Sequence, residues 1–280
     1  MPKNTLYNQS MKKIIKYTCL LPALLLLTNF LYSQTTTDGQ YFISFDGTKI
    51  YYEVKGDGYP VVLIHGFSGT GQGWKTGAVY SDLLKAGYKV IILDQRGNGL
   101  SDKPHNESAY ANDAEAKDIM GIISSLNIKN YDAVGYSRGS IILSRLLVLD
   151  VRLNKAVMGG MGDAYTNPEW PRRVHAYRAL MGDTTLHDVD DMMKWIYSQH
   201  FDNLALALQQ KYQPSTSKQE LATVNKPVLI IRGTEDKENG SETGLNSLIP
   251  NSKLVYTPSN HNTAMRTPEF SSAVLKFFSN

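Results

Sequence analysis

Val134-Gly135-Tyr136-Ser137-Arg138-Gly139-Ser140 decides how this chain is read. Residues 131–136 form a short apolar run of strand length, and an apolar helical pattern opens at Ser140-Ile141-Ile142-Leu143. Glycines stand two before and two after Ser137, giving G-x-S-x-G. A strand that turns this sharply into a helix strains the central serine and leaves its hydroxyl exposed. Gly135 and Gly139 have no Cβ, so strand and helix can approach without a clash. Ser137 then sits at a helix N-terminus, where free N–H groups favour negative charge. Taken alone, the pattern also fits an ordinary strand-to-helix turn, and the surrounding sequence has to separate the two readings.

On both sides of this stretch, strands alternate with helices. Tyr41-Phe42-Ile43-Ser44-Phe45 and Ile50-Tyr51-Tyr52-Glu53-Val54 flank Asp46-Gly47, which reads as a hairpin. Val61-Val62-Leu63-Ile64 and Val90-Ile91-Ile92-Leu93 are continuous apolar runs, as expected of strands buried on both faces. Helical spacing appears around residues 80–84, stopped by Gly87, and again over 113–126. A strand is expected at 155–158. From 163 to 225 the alternation stops, and helical stretches are expected at 173–181, 188–200 and 203–212. It resumes with strands at 228–231 and 254–256 and helices at 242–248 and from Thr267-Pro268-Glu269, where threonine caps and proline takes the first helical position. The fold class is α/β: a mostly parallel central sheet with helices on both faces, opened by an antiparallel hairpin. The segment 163–225 is too long for a loop and reads as a helical lid between core segments 34–162 and 226–280.

The chain has 280 residues, 42% hydrophobic and 20% charged, which suits one large domain with an insertion. Residues 1–33 differ from the rest. Lys12, Lys13 and Lys16 precede the run Cys19-Leu20-Leu21-Pro22-Ala23-Leu24-Leu25-Leu26-Leu27, and Ser33 precedes a polar stretch. That is the pattern of a secretory signal peptide, with Met11 as an alternative start, and it implies a secreted or periplasmic protein. The run is shorter than the roughly 18–20 residues of a membrane span, so no stable membrane insertion is expected after cleavage. Residues 1–33 hold four lysines and no acid, so the formal charge of +3 becomes −1 without them. No nucleic-acid footprint is left. The single cysteine, Cys19, leaves with the same segment, which excludes disulfide and thiolate chemistry from the remainder.

Four segments at strand ends now resemble the α/β-hydrolase family in the family's order, over nearly all of 41–280. His65-Gly66-Phe67 resembles the oxyanion loop. Asp94-Gln95-Arg96-Gly97-Asn98-Gly99-Leu100-Ser101 resembles its D-x-R-G-x-G-x-S segment. The G-x-S-x-G turn resembles its nucleophile elbow. Gly233-Thr234-Glu235-Asp236 and, later, Asn260-His261 resemble its acid and base loops. Ligands of open α/β sheets bind at the carboxyl ends of strands, where all of these fall.

The resemblance implies roles. Ser137 is the nucleophile, His261 the base that a serine hydroxyl needs, and Asp236 the acid that orients the imidazole. Asp163, after the strand at 155–158, is a rival for the acid. The N–H groups of Phe67 and Arg138 form the oxyanion hole. The family usually has glycine where Asn260 stands, which puts the local backbone in question. His105, His175, His187 and His200 read as surface or lid residues, and His65 as bonded within its own loop. Asp94 and Arg96 read as shaping their loop rather than forming an active-site ion pair. Gly69-Thr70-Gly71-Gln72-Gly73 fails as a dinucleotide motif, because Trp74 stands where glycine is needed. No cofactor and no metal are expected. The activity implied is serine hydrolysis of an ester, thioester or lactone of a small molecule. Proline iminopeptidase-like peptidase and C–C hydrolase activities use the same triad, and a non-catalytic ligand-binding homologue is the reading from another class. Serine as nucleophile disfavours the aspartate-dependent epoxide hydrolases and haloalkane dehalogenases. Trp170, Tyr177, Trp195, Tyr197 and Phe201 are expected to line an apolar pocket or to pack the lid itself.

Overall fold

The structure, a computed structural model, describes residues 39–280; the signal peptide expected at 1–33 lies outside the described residues. The strands are β1 (Gln40–Ile43), β2 (Lys49–Lys55), β3 (Pro60–Ile64), β4 (Lys89–Leu93), β5 (Tyr131–Tyr136), β6 (Leu153–Gly159), β7 (Val228–Gly233) and β8 (Ser252–Thr257). They form one sheet in the order β1-β2-β4-β3-β5-β6-β7-β8. The β1–β2 and β2–β4 pairs are antiparallel, and every other pair is parallel. The strand order reverses where β3 lies between β4 and β5. The crevice at such a reversal is where open α/β sheets place their ligands.

The continuous apolar runs are buried on both faces because successive side chains alternate across a strand. Val62, Ile64, Ile91 and Leu93 point into one core cluster, and Val61, Leu63, Val90 and Ile92 into the other. The first is covered by α2 (Ala114–Ser125), α3 (Arg138–Leu149) and α8 (Glu242–Leu248), through Ile119, Ile122, Ile142, Leu146 and Leu245. The second is covered by α1 (Ala78–Lys85) and α9 (Pro268–Phe278), through Val79, Leu83, Phe270 and Val274. Each such side chain, fully buried, contributes about 1.5–3 kcal/mol, so the two layers set the framework.

Nine of the twelve residues of α3 are buried. A helix apolar nearly all round has cover on every side. Here the outer cover includes residues 164–221, which lie between β6 and β7 and carry α4 (Pro171–Leu180), α5 (Asp190–Ser198), α6 (Asn203–Lys211) and α7 (Lys218–Leu221). Ser144 of α3 donates to the Thr216 hydroxyl at 3.0 Å, so the polar pair beneath this cover is satisfied. Helix α7 was missed in the sequence because it is a single turn. It is started by a capping box in which Ser217 and Glu220 satisfy each other's backbone N–H groups.

Candidate active site

Ser137 occupies the turn between β5 and α3 with φ 51° and ψ −122°. Positive φ at a non-glycine residue costs about 1–3 kcal/mol and persists only where its surroundings enforce it. They do so here. The Ser137 N–H donates to the Gly159 carbonyl at 2.8 Å. A Cβ on Gly135 would lie 2.4 Å from the Gly139 carbonyl oxygen, and one on Gly139 would lie 2.2 Å from the Ile64 carbonyl oxygen. The glycines are therefore required by contact between backbones, as the sequence reading expected.

The loops after β7 and β8 bring Asp236 and His261 to this turn. His261 Nε2 lies 3.0 Å from Ser137 Oγ, and its Nδ1 lies 2.9 Å from Asp236 Oδ2. A neutral imidazole has one donor and one acceptor. With Nδ1–H donating to the carboxylate, Nε2 is left to accept from the serine. Asp236 is buried, which by itself raises its pKa. The hydrogen bond and charge of His261, the Glu238 N–H and Arg232 outweigh this and hold it below the usual carboxylate range. Arg232 also donates to the Asp236 carbonyl at 3.1 Å, fixing the loop. Tyr136 donates to the His261 carbonyl and packs its ring 5.5 Å from the imidazole.

Asp163 is engaged elsewhere. Its Oδ1 accepts from the Ser241 N–H at 2.8 Å, before α8. Glu235 is exposed. The substitution of asparagine for the family's usual glycine has a local explanation. Asn260 is not among the residues with positive φ, and its side chain accepts from the N–H groups of Asn262 and Thr263 at 3.0 and 3.2 Å. It caps the turn that carries His261, a job glycine could not do.

The loop after β3 stands against the serine: a Cβ on Gly66 would lie 3.3 Å from Ser137 Cβ. Phe67, Ser137 and Arg138 line one cavity. Arg138 is the first residue of α3, so its N–H has no acceptor within the helix. His65 is fixed by its loop and the next one. Its Nε2 accepts from the Gln95 N–H at 3.0 Å, and its Nδ1 lies 2.7 Å from the Gly66 carbonyl. Burial lowers its pKa, favouring the neutral ring that this pattern needs. Asp94 accepts from the N–H groups of Gly71 and Leu100 at 2.7 and 2.8 Å, while Arg96 pairs with Asp118 and Asp46. Both shape loops, as expected.

The Arg138 side chain has partners that the sequence does not point to. The guanidinium makes a bidentate pair with Glu115 at 2.7 and 2.6 Å, both side chains 3% exposed. It also donates to Gln95 at 3.0 Å and to the Gln209 carbonyl in α6 at 2.9 Å. The residue after the serine thus ties the core to the insert. These partners lie 23, 43 and 71 residues away, and no local pattern announces such pairs.

The cavity above Ser137 takes in about 420 Å³ of space, its mouth open to solvent included. Its insert side carries Trp170, Arg172, Arg173, Ala176, Met192, Gln210 and Gln213. Of the five insert aromatics considered for the pocket, Trp170 lines it. Tyr177 and Phe201 pack against the insert's own cluster of Ala179, Leu180, Val189, Met193, Ile196 and Leu206. Trp195 and Tyr197 are half-exposed. The cavity is accordingly more polar than an aromatic-lined pocket would be. His105, His175 and His187 pair with Asp202, Asp188 and Asp190 away from the site. Among the described residues, no group of three or more His, Cys, Asp or Glu is arranged to hold a metal ion. Among them, too, no helix is long and apolar enough to cross a membrane.

Comparison with known proteins agrees with this architecture. A family model described as the alpha/beta hydrolase fold matches residues 59–172. A putative non-heme chloroperoxidase of Synechocystis sp. is 40% identical over 111 residues, 39% of this chain and 39% of that protein. Epoxide hydrolase 3 of Siraitia grosvenorii is 32% identical over 100 residues, 36% of this chain and 31% of that protein. The matched region thus spans about two fifths or less of these curated relatives. The solved structure of an esterase from Rhodococcus sp. ECU1013 is 26% identical, covers 86% of this chain and 98% of that one, and superposes with a TM-score of 0.66. With the sheet order, the strand-end loops and these likenesses in hand, the chain has the α/β-hydrolase fold and is similar to members of that family over residues 59–172.

Proposed function

We propose that the protein is a serine hydrolase that cleaves a carboxylic ester, thioester or lactone through an acyl-enzyme. The observation that carries this reading is His261, whose two ring nitrogens reach Ser137 at 3.0 Å and Asp236 at 2.9 Å. Ser137 Oγ attacks the carbonyl carbon while its proton passes to Nε2. Asp236 stabilises the imidazolium and holds its orientation. The negative oxygen of the tetrahedral intermediate is held by the N–H groups of Phe67 and Arg138, each such donor worth about 3–4 kcal/mol in the transition state. Nε2 returns the proton to the leaving oxygen. Water, deprotonated by the same nitrogen, then releases the acid and restores Ser137. The esterase likeness supports the reading. With serine at 137, epoxide opening is not the reading adopted.

The relative named a non-heme chloroperoxidase supports a second reading at the same site. Hydrogen peroxide in place of water would release a peracid from the acyl-enzyme, and a peracid can oxidise halide. Turnover of short p-nitrophenyl esters by the purified protein tests both. Hydrolysis that disappears in Ser137→Ala and in His261→Ala is the expected result. Peroxide-dependent bromide oxidation that requires the same ester and the same two residues would favour the second reading. Ester turnover at equal rates in wild type and Ser137→Ala would refute both.

A further inference from the structure

Three arginines and no acid line the cavity that holds Ser137: Arg138, Arg172 and Arg173. They differ in how their charges are met. Arg138 is buried and committed to Glu115 through two short bonds. Arg172 pairs with Glu238 at 2.7 Å, but the two side chains are 40% and 34% exposed. A pair this open contributes little and exchanges readily. Arg173 makes no salt bridge among the described residues, and Glu169 acts on it only through longer-range charge. It donates to the carbonyls of Gln210 at 2.7 Å, Lys211 at 3.3 Å and Pro168. Backbone carbonyls hold a guanidinium in place without neutralising it. Five N–H donors are available on such a group, so some remain for a ligand.

The placement of these two residues is also costly. Arg172 and Arg173 are in the first turn of α4, which contains no acidic residue. The N-terminus of a helix carries partial positive charge and favours anions, so two cations there work against the dipole. Arg178 and Asp183, at the other end of the same helix, pair at 2.6 Å in the ordinary way. Local rules of this kind are broken mainly where function requires it. An anion entering the cavity would meet the helix N-terminus, a guanidinium with no carboxylate in contact and an exchangeable second one together. Such a cavity focuses positive potential on its contents.

Resting on the ester-hydrolase reading above, we infer that the substrate carries a free carboxylate, bound by Arg173 with Arg172 beside it, and is therefore a half-ester or a carboxylated ester or lactone. The carboxylate takes no part in bond changes. It positions the reacting carbonyl over Ser137, and planar guanidinium suits it bidentately.

Two matched pairs test the inference: mono-p-nitrophenyl glutarate against p-nitrophenyl pentanoate, and 4-acetoxybenzoate against phenyl acetate. In at least one pair, kcat/KM for the anionic ester should exceed that for the neutral one by about tenfold or more. Arg173→Gln should lower that ratio by about tenfold, mainly through KM, and Arg173→Lys should restore part of it. A ratio at or below one in both pairs, or a ratio unchanged in Arg173→Gln, overturns the inference. Equal losses on anionic and neutral esters would show that Arg173 only holds the insert together, and would overturn it too. Calorimetric titration of glutarate into Ser137→Ala reads the anion site without turnover. Binding that is lost when Arg173→Gln is added supports the anion site even if no ester is cleaved, in which case the hydrolase reading alone fails. No binding to either protein counts against the anion site.

Discussion

The cavity has a core side and an insert side, and the two are held by different forces. On the core side, close backbone contacts and short local hydrogen bonds fix the groups. Gly135 lets β5 and α3 meet, Gly139 lets α3 meet the end of β3, the Gly159 carbonyl holds the Ser137 N–H, and Asn260 caps the turn that presents His261. On the insert side, side chains do this work. Arg138 reaches the Gln209 carbonyl, Gln209 donates to Asn98 and the Arg96 carbonyl, and Arg172 meets Glu238. The core side thus holds Ser137, His261 and Asp236 in one arrangement. The insert side can change its contacts, and with them the substrate it accepts, without disturbing the sheet. The family match ends at residue 172, close to where the insert's helices begin.

The largest expected effect separates the two carboxylates that compete for one role on the core side. Asp236→Asn should cut kcat for a p-nitrophenyl ester by about 10³–10⁴, as loss of the orienting acid does in such triads. Asp163→Asn should cost less than about tenfold, because Asp163 only receives the Ser241 N–H. Steady-state kinetics of both variants decides. The reverse pattern would move the acid to position 163.

The core side was legible in the sequence for a physical reason. Ser137, Asp236 and Phe67 each follow a strand buried on both faces, and such strands read as short apolar runs, while His261 follows the half-open edge strand β8. A glycine pattern or an acidic or histidine signature then marks each loop. The sheet followed from the same runs. The insert was legible only as helical. Its aromatics carry no mark that separates packing from lining, so Trp170 could not be told from Phe201 or Tyr177. The Arg138–Glu115–Gln209 contacts were not legible at all, because they join residues that share no local pattern. Arg173 was hidden for a related reason: a charged residue early in a helix reads as a solvated face until the cavity beneath it is seen.

The second prediction breaks the joint between the two sides. Glu115→Gln leaves the Arg138 guanidinium buried without a full counter-charge, which costs about 3–5 kcal/mol. In a domain of this size the thermal midpoint should fall by about 6–20 °C, measured by calorimetry or circular dichroism. A fall of less than about 3 °C would show that the pair is not what holds α6 to the core.

A smaller effect, of opposite sign, lies within the core at Asp132 of β5. Burial raises its pKa to about 6, against the hydrogen bond from the Lys155 N–H. The ionised form is thus less favourable in the fold than in the unfolded chain, so at pH 7 the residue destabilises. That penalty shrinks as pH falls through about 6 and vanishes below the unfolded value near 3.9. Asp132→Asn should raise the midpoint by about 2–4 °C at pH 7 and leave it unchanged near pH 4. A midpoint lowered at both pH values would contradict this.

The smallest effect belongs to the exposed pair on the insert side. Arg172→Ala removes a contact with Glu238 that is open to water, and should change stability by no more than about 1 kcal/mol. Set beside Glu115→Gln in the same thermal scan, it measures the contrast between a buried joint and an open one. Equal losses in the two variants would erase that contrast.

The central claim is that Ser137 is a nucleophile activated by His261, and labelling with a fluorophosphonate followed by peptide mass mapping tests it most directly. One adduct per chain is expected, on the peptide that contains Ser137, absent in Ser137→Ala and formed at least about 100-fold more slowly in His261→Ala. Equal labelling of wild type and Ser137→Ala, or an adduct on another residue, would contradict it.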